Sequence, residues 1–325
     1  MDLMKERIKA EAKRLGFSFT GFTEPRQTPH FNNYLEWIQQ RKNAGMEYLA
    51  KPYVIQGRRQ PDSLLKGARS VIVAGIHYLP QIELGDIANG DNTDRGWVAA
   101  YGSLVDYHKT IKQKFRSLSK SINELVGAEV KSKIFIDSGP VMEKDFARQA
   151  GLGWIGKNSL LITPQYGSYC LLGCLFLDLE LPPDSPLEED ICGECEICIL
   201  ACPTQCINSD RTIHAEQCIS YQTTENPNDI PEGFGEKMGR WVFGCDICQI
   251  VCPGNRKLIE KTLDPNPPQI PVISQKVDLS KVGTINAKEF DQRFSDTPLA
   301  RIGLKIFQRN VLNAWHNQNN KDQIS

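Results

Sequence analysis

Apolar residues recur at helical spacing through the first fifteen positions, M-D-L-M-K-E-R-I-K-A-E-A-K-R-L, and the pattern stops at Gly16. A glycine just past the last apolar position suits a left-handed C-cap, so the chain opens on a surface helix. A second helical pattern runs from Tyr34 to Leu49. Ser70 to Ile76 (S-V-I-V-A-G-I) is apolar at consecutive positions, which predicts a strand buried on both faces. Leu104 to Val126 is helical again. Lys133 to Asp137 then predicts a strand, S-G-P its turn, and Val141 to Ala150 a helix with Val141, Met142, Phe146 and Ala150 on its apolar side. Leu160 to Thr163 and Tyr169 to Leu177 add two strands. This alternation predicts an α/β or α+β sandwich around a sheet.

A proline-rich, acidic stretch, L-P-P-D-S-P-L-E-E-D from Leu181, breaks the pattern and places a domain boundary near residue 185. Residues 186–260 hold most of the cysteines. Beyond them the chain turns polar and proline-rich (D-P-N-P-P-Q-I-P from Asp264), so residues 261–325 form a third segment. It carries short helices around Ala287 to Phe294 and Leu299 to Trp315, with a frayed tail from His316.

The 325 residues, 40% of them hydrophobic, suffice for a full core and a smaller second one. Lys plus Arg number 38 and Asp plus Glu 39, so overall charge draws no polyanion and a nucleic-acid surface has to be a local patch. The apolar runs are too short to span a membrane and no leader precedes them, which predicts a soluble protein of a reducing compartment, the cytoplasm.

The chemistry is concentrated in two runs. C-x-x-C-x-x-C-x-x-x-C-P comprises Cys192, Cys195, Cys198 and Cys202, and C-x-x-C-x-x-x-C-P comprises Cys245, Cys248 and Cys252. Thiolates at this spacing wrap cubane iron-sulfur clusters, the last cysteine of each run reaching across to the other cluster. Two clusters require eight thiolates, and Cys218, between the runs, is the natural eighth. In the ferredoxin pattern Cys192, Cys195, Cys198 and Cys252 hold one [4Fe-4S] cluster, and Cys202, Cys218, Cys245 and Cys248 the other. Structural zinc is the main rival, but it needs neither a third cysteine in the first run nor the following proline. Cys170, Cys174 and Cys206 read as small buried residues.

Other signals are weak when read from the residues alone. G-L-G-W-I-G (Gly151, Gly153, Gly156) has dinucleotide-loop spacing but follows a helix, and D-Y-H-K-T-I lacks the glycine of a cobalt-ligating D-x-H-x-x-G. His108 therefore reads as a helix-surface residue, Asp137 as a turn-former, Lys157 and Asn158 as loop residues, and Arg58 with Arg59 as a solvated pair. The result is a two-cluster iron-sulfur protein with an unidentified reaction chamber.

Six motifs in order extend this reading: I-D-S-G-P-V-M-E-K (136–144), A-G-L-G-W-I-G-K-N-S-L-L-I (150–162), Y-G-S-Y (166–169), C-G-E-C-E-I-C-I-L-A-C-P-T (192–204), C-I-S-Y (218–221) and G-C-D-I-C-Q-I-V-C-P-G-N (244–255). Together they resemble the epoxyqueuosine reductases, relatives of the reductive dehalogenases. The resemblance implies a cobalamin-binding α/β domain (1–185), a ferredoxin-like domain with two [4Fe-4S] clusters (186–260) and a C-terminal helical segment (261–325). It implies reduction of epoxyqueuosine at the wobble position of tRNA, with electrons relayed from an unidentified donor, by a monomer without a membrane. By the same matching Asp137 is the proton donor, its pKa raised by burial, and Arg58, Asn158, Ser168, Ser220 and Asp246 join it as cobalamin contacts. A dehalogenase-like reductase of small molecules and a non-catalytic electron carrier are the alternatives. Many family members carry a C-terminal helical-repeat extension that touches tRNA, and no such repeat follows here. Arg301, Lys305 and Arg309, at i, i+4 and i+8, are the candidate phosphate contacts along one helix face.

Overall fold

The computed structural model describes residues 2–78, 94–187, 190–255, 276–281 and 285–321. Its strands are β1 (Phe19–Thr23), β2 (Ser70–His77), β3 (Arg95–Val98), β4 (Ser132–Phe135), β5 (Trp154–Ile155), β6 (Leu161–Ile162), β7 (Cys170–Leu177), β8 (Trp241–Phe243) and β9 (Lys276–Asp278). The main sheet has the order β1-β2-β7-β4. Strand β2 is buried at every position, as its continuous apolar run predicts.

Helices cover both faces of this sheet. On one side the helices Asp2–Arg14 and Tyr107–Val126 press Ile8, Ala12, Ile111, Phe115 and Leu118 against Ile72, Ala74, Ile76 and Leu175. On the other, the helix Glu143–Gln149 sets Phe146 and Ala147 against Val71, Val73 and Phe176. Alternating strands and helices would usually mean parallel pairing through crossovers, yet every pairing here is antiparallel. The five-residue β1, with Gly21 at its centre, is too short to register as a periodic pattern.

A second sheet, β8-β3-β9, takes one strand from each of the three sequence segments. Trp97 is in register with Trp241, and Arg95 with Asp278. The helix Gly303–Lys321 packs Phe307, Val311 and Ala314 onto this sheet, beside Phe290 and Phe294 of the helix Ala287–Phe294. The C-terminal segment is thus part of the core, and the helix continues to Lys321 where a frayed tail was expected from His316. The boundary at residue 260 and the proline-rich run at 264–271 lie outside the described residues.

The helix expected from Tyr34 to Leu49 is instead a helix over Phe31–Gln39 and a single 3-10 turn over Glu47–Ala50. Between them Arg41 and Ala44 have φ of 54° and 49°, left-handed values that end an α-helix whatever the apolar spacing. The segment is drawn away by tertiary hydrogen bonds: Trp37 Nε1 donates to Ile213 O at 2.7 Å, Ala215 N to Lys42 O at 2.9 Å, and Gly45 N to Tyr221 Oη at 2.9 Å.

Candidate active site

Local rules place the cysteines at the ends of short helices. Cys198 lies within the helix Ile197–Leu200 and Cys202 just beyond it; Cys218 is the N-cap of the helix Ile219–Thr224; Cys248 belongs to the helix Ile247–Ile250, with Cys245 before it and Cys252 after it. The helices of the two runs pack against each other, which interleaves their thiols. Burial pushes the Cys252 thiol up, and the thiols adding to that are Cys192 and Cys195. Burial pushes Cys198 up to about 11, with Cys252, Cys192 and Cys195 adding. Around Cys248, also raised by burial, the largest thiol influence is Cys218, followed by Cys198 and Cys202. Cys245 is raised by burial and then by Cys248. Cys252, although in the second run, therefore sits with the first three cysteines.

Cys174 is fully buried and Cys170 half-buried, whereas Cys206 has a further contact. Buried as expected, Cys206 also lies with its Sγ 3.5 Å from Cys202 Sγ. Its thiol hydrogen bond favours the Cys202 thiolate, pulled down to about 5, and its proximity lowers Cys218 as well.

Beside the thiols lies a buried polar network. Ala100 N donates to Asp246 Oδ2 at 2.7 Å, and Gln249 Nε2 to Asp246 Oδ1 at 2.9 Å. Ser168 Oγ donates to Gln249 Oε1 at 2.9 Å, while Asn255 accepts from Ser168 N at 2.7 Å and donates to Gln249 O at 2.7 Å. Asn158 Nδ2 donates to Cys248 O at 3.4 Å. Asn158, Ser168 and Asp246 are thus gathered at the second cysteine run, already bonded within the protein. Burial raises Asp246 to about 6. Gln249 and Asn255 were not singled out from sequence, since an amide beside a cysteine reads as a helix-surface residue until its burial is known.

Asp137 stands on another wall. Ser138 N reaches back to Ile136 O at 2.6 Å, closing a three-residue turn with Asp137 at its centre and φ +59°. A non-glycine residue in this conformation is strained, and the strain fixes where the carboxylate stands. Tyr107 Oη donates to Asp137 Oδ2 at 3.0 Å, and His108 Nε2 lies 3.3 Å from the same oxygen. The side chain remains 60% exposed, and Oδ1 has no partner among the described residues. His108 is accordingly no helix-surface bystander: the Asp106 N-cap starts the helix so that Tyr107 and His108, its first two residues, both face Asp137. The expected rise in the Asp137 pKa is reversed. The His108 hydrogen bond, outweighing burial, holds the carboxyl below its usual range, with Tyr107 helping.

Arg58 and Glu143 complete this wall. Arg58 stacks 4.4 Å over the Tyr34 ring, so it is not half of a solvated pair, and its buried Nε has no partner among the described residues. Glu143 begins the helix after the Asp137 turn; its buried Oε1 is also unpartnered, and burial raises its carboxyl to about 7, with Asp137 adding repulsion. The buried Tyr169 hydroxyl, close to Asp246 and Cys248, is a third such atom. Tyr101 connects the walls: its hydroxyl bonds Ser220 and feels the charges of Asp246 and Asp137.

The basic face predicted for Arg301, Lys305 and Arg309 does not exist. Arg301 lies on the 3-10 turn Pro298–Ile302, and Gly303, at φ +70°, turns the chain before the next helix begins. Its guanidinium reaches His108 and Asp106. Arg309 donates to the carbonyls of Gln222, Asn226 and Asn228. Of the three, Lys305 alone remains an exposed cation without such contacts.

Residues 191–255 match a family described as a 4Fe-4S double cluster binding domain, and residues 58–138 one described as epoxyqueuosine reductase QueG. An epoxyqueuosine reductase of Cyclobacterium marinum is 37% identical over 310 residues, covering 94% of both chains. Among solved structures, the epoxyqueuosine reductase of Streptococcus thermophilus has a TM-score of 0.84 and 31% identity over 98% of this chain and 83% of its own. An epoxyqueuosine reductase with a tRNA-Tyr epoxyqueuosine-modified stem loop has a TM-score of 0.83 and 28% identity, with the same coverage of both chains.

Proposed function

The chain belongs to the epoxyqueuosine reductases, and from that premise we propose how its residues divide the reaction. It reduces epoxyqueuosine in tRNA to queuosine. Removing the epoxide oxygen takes two electrons and two protons: both carbon-oxygen bonds break, a carbon-carbon double bond forms, and the oxygen leaves as water. One-electron carriers and a proton source have to meet at one place.

Cys192, Cys195, Cys198 and Cys252 hold one [4Fe-4S] cluster and Cys202, Cys218, Cys245 and Cys248 the other; the grouping of the thiols supports this crossed ligation. The Cys206 thiol, 3.5 Å from the Cys202 sulfur, is placed to tune a potential. Cobalamin is assigned to the space between the Asp137 wall and the polar network. The residues fit such a group: the unpartnered Arg58 Nε and Glu143 Oε1 supply a donor and an acceptor for its amide side chains, and Tyr169 Oη supplies either. Bound there, its cobalt would supply low-potential electrons to the epoxide. Asp246 and Ser168, satisfied internally, act by fixing the floor, while Asn158 and Ser220 border it.

Asp137 is the acid. The observation that carries this is its strained turn, which presents Oδ1 unpartnered while Tyr107 and His108 occupy Oδ2. In the open site the carboxyl is ionised, but a covering substrate removes the water around a side chain that is 60% exposed, and desolvation favours the protonated form. The protein works as a monomer fed by an external one-electron donor. Anaerobically reconstituted protein, given cobalamin, a reductant and an epoxyqueuosine-containing anticodon stem-loop, should yield queuosine in nucleoside analysis. Unchanged epoxyqueuosine with both clusters and cobalamin in place would overturn the assignment.

A further inference from the structure

We propose that Arg301 is a positioning residue that assigns the single proton shared by His108 and Asp137 to Asp137. This rests on the reading of Asp137 as the acid. Arg301 comes from the C-terminal segment, and its Nη2 stands 2.5 Å from His108 Nδ1. A guanidinium is always charged and only donates, so the nitrogen that it touches at this distance has to offer its lone pair. Arg301 Nη1 also lies 3.3 Å from Nε2, but the much shorter contact is at Nδ1, so the ring proton resides on Nε2, 3.3 Å from Asp137 Oδ2.

Asp106 Oδ1 lies 3.1 Å from the same Nδ1 and would favour an imidazolium. That oxygen already accepts the His108 backbone N–H at 3.1 Å and an Arg301 N–H at 3.3 Å, and the Arg301 charge offsets its own. The shorter Arg301 contact therefore decides the state of the ring. Other charged groups act on the carboxylate: Glu143 and Lys144 follow the Asp137 turn, Glu225 ends the helix Ile219–Thr224, and Tyr107 donates to it directly.

An imidazolium at Nε2 would lock Asp137 as a carboxylate, because a full positive charge 3.3 Å away opposes its protonation. The charge of Arg301 also favours the carboxylate, but it acts on Asp137 less strongly than His108 and Tyr107 do, from behind the ring. Keeping the ring neutral outweighs it. The proton needed by the departing oxygen can then be taken up at Asp137 Oδ1 and delivered from there. Lost Arg301 donation leaves the proton on His108, away from the substrate.

The test uses infrared difference spectra of the holoenzyme with the stem-loop, following the protonated-carboxyl stretch that Asp137→Asn removes. In Arg301→Gln this band should disappear about one pH unit lower than in the wild type, and single-turnover reduction near neutral pH should fall roughly tenfold, recovering as pH is lowered. Arg301→Lys, which keeps a charged donor, should restore both. Arg301→Gln combined with His108→Gln should be no slower than His108→Gln alone, because no imidazolium can form. Identical titration of the band in wild type and Arg301→Gln, or a loss of rate equal at every pH, would overturn the proposal while leaving Asp137 as the acid. Full activity in Asp137→Asn would instead remove the reading on which it rests.

Discussion

His108 Nε2 and Asp137 Oδ2 are 3.3 Å apart, although one residue opens a helix and the other occupies a strained turn after β4. Their contact puts an imidazole behind a carboxylate whose second oxygen faces outward. Asp137→Asn tests the carboxylate with little disturbance, since Asn is among the few residues that tolerate positive φ. The variant should fold, load both clusters and bind cobalamin, yet lose on the order of 10² to 10⁴ in turnover. Reduction above about a tenth of the wild-type rate would return Asp137 to the role of a turn residue.

Crossed ligation makes a distinctive forecast for Cys252. Cys252→Ser should perturb the paramagnetic signal of the cluster held by Cys192, Cys195 and Cys198, its neighbours in space. The same experiment refutes the pairing if the altered signal is that of the cluster held by Cys245 and Cys248.

Asn255 is fully buried, with its side chain bonded to Ser168 and to the Gln249 carbonyl. Asn255→Leu would strand several of these partners without water, costing roughly 2–4 kcal/mol. Chemical denaturation should register that loss as a lowered midpoint. A change below about 0.5 kcal/mol would mean that the network rearranges around the gap.

Arg309 should behave as a structural latch. Arg309→Met removes donors to three backbone carbonyls and should cost about 2 kcal/mol, while the salt dependence of stem-loop binding stays unchanged. A flatter salt slope in this variant, at unaltered stability, would restore Arg309 to the RNA surface.

Glu143 gives a pH signature. Burial raises its carboxyl from an ordinary 4.5 to about 7, so between those values the folded chain holds a proton that the unfolded chain has released. Its contribution is present below pH 4.5 and is lost as pH rises toward 7. Glu143→Gln should flatten this part of the stability profile and be more stable than the wild type at pH 8, by on the order of 2 kcal/mol. Parallel profiles for the two proteins would show that Glu143 is not held neutral.

The sequence by itself determined the cysteine chemistry, because cluster ligands must recur at helical intervals and those intervals survive in the linear chain. It also placed β2, β7 and the helix Ala287–Phe294, whose apolar periods are long or sharply bounded. The helices Asp2–Arg14, Tyr107–Val126 and Glu143–Gln149 and the strands β4 and β6 were legible as well, within a few residues at their ends, and tertiary structure decided what was left. β3, β8 and β9 are three or four residues each, below any readable period, and exist because distant segments pair. Nothing local distinguishes His108 from a surface histidine, or Arg301 and Arg309 from solvated cations. Their roles depend on contacts 193 and more than 80 residues away in the chain. The direction of the Asp137 shift was misread for the same reason: burial alone would raise it, and the imidazole that reverses the sign arrives from another element.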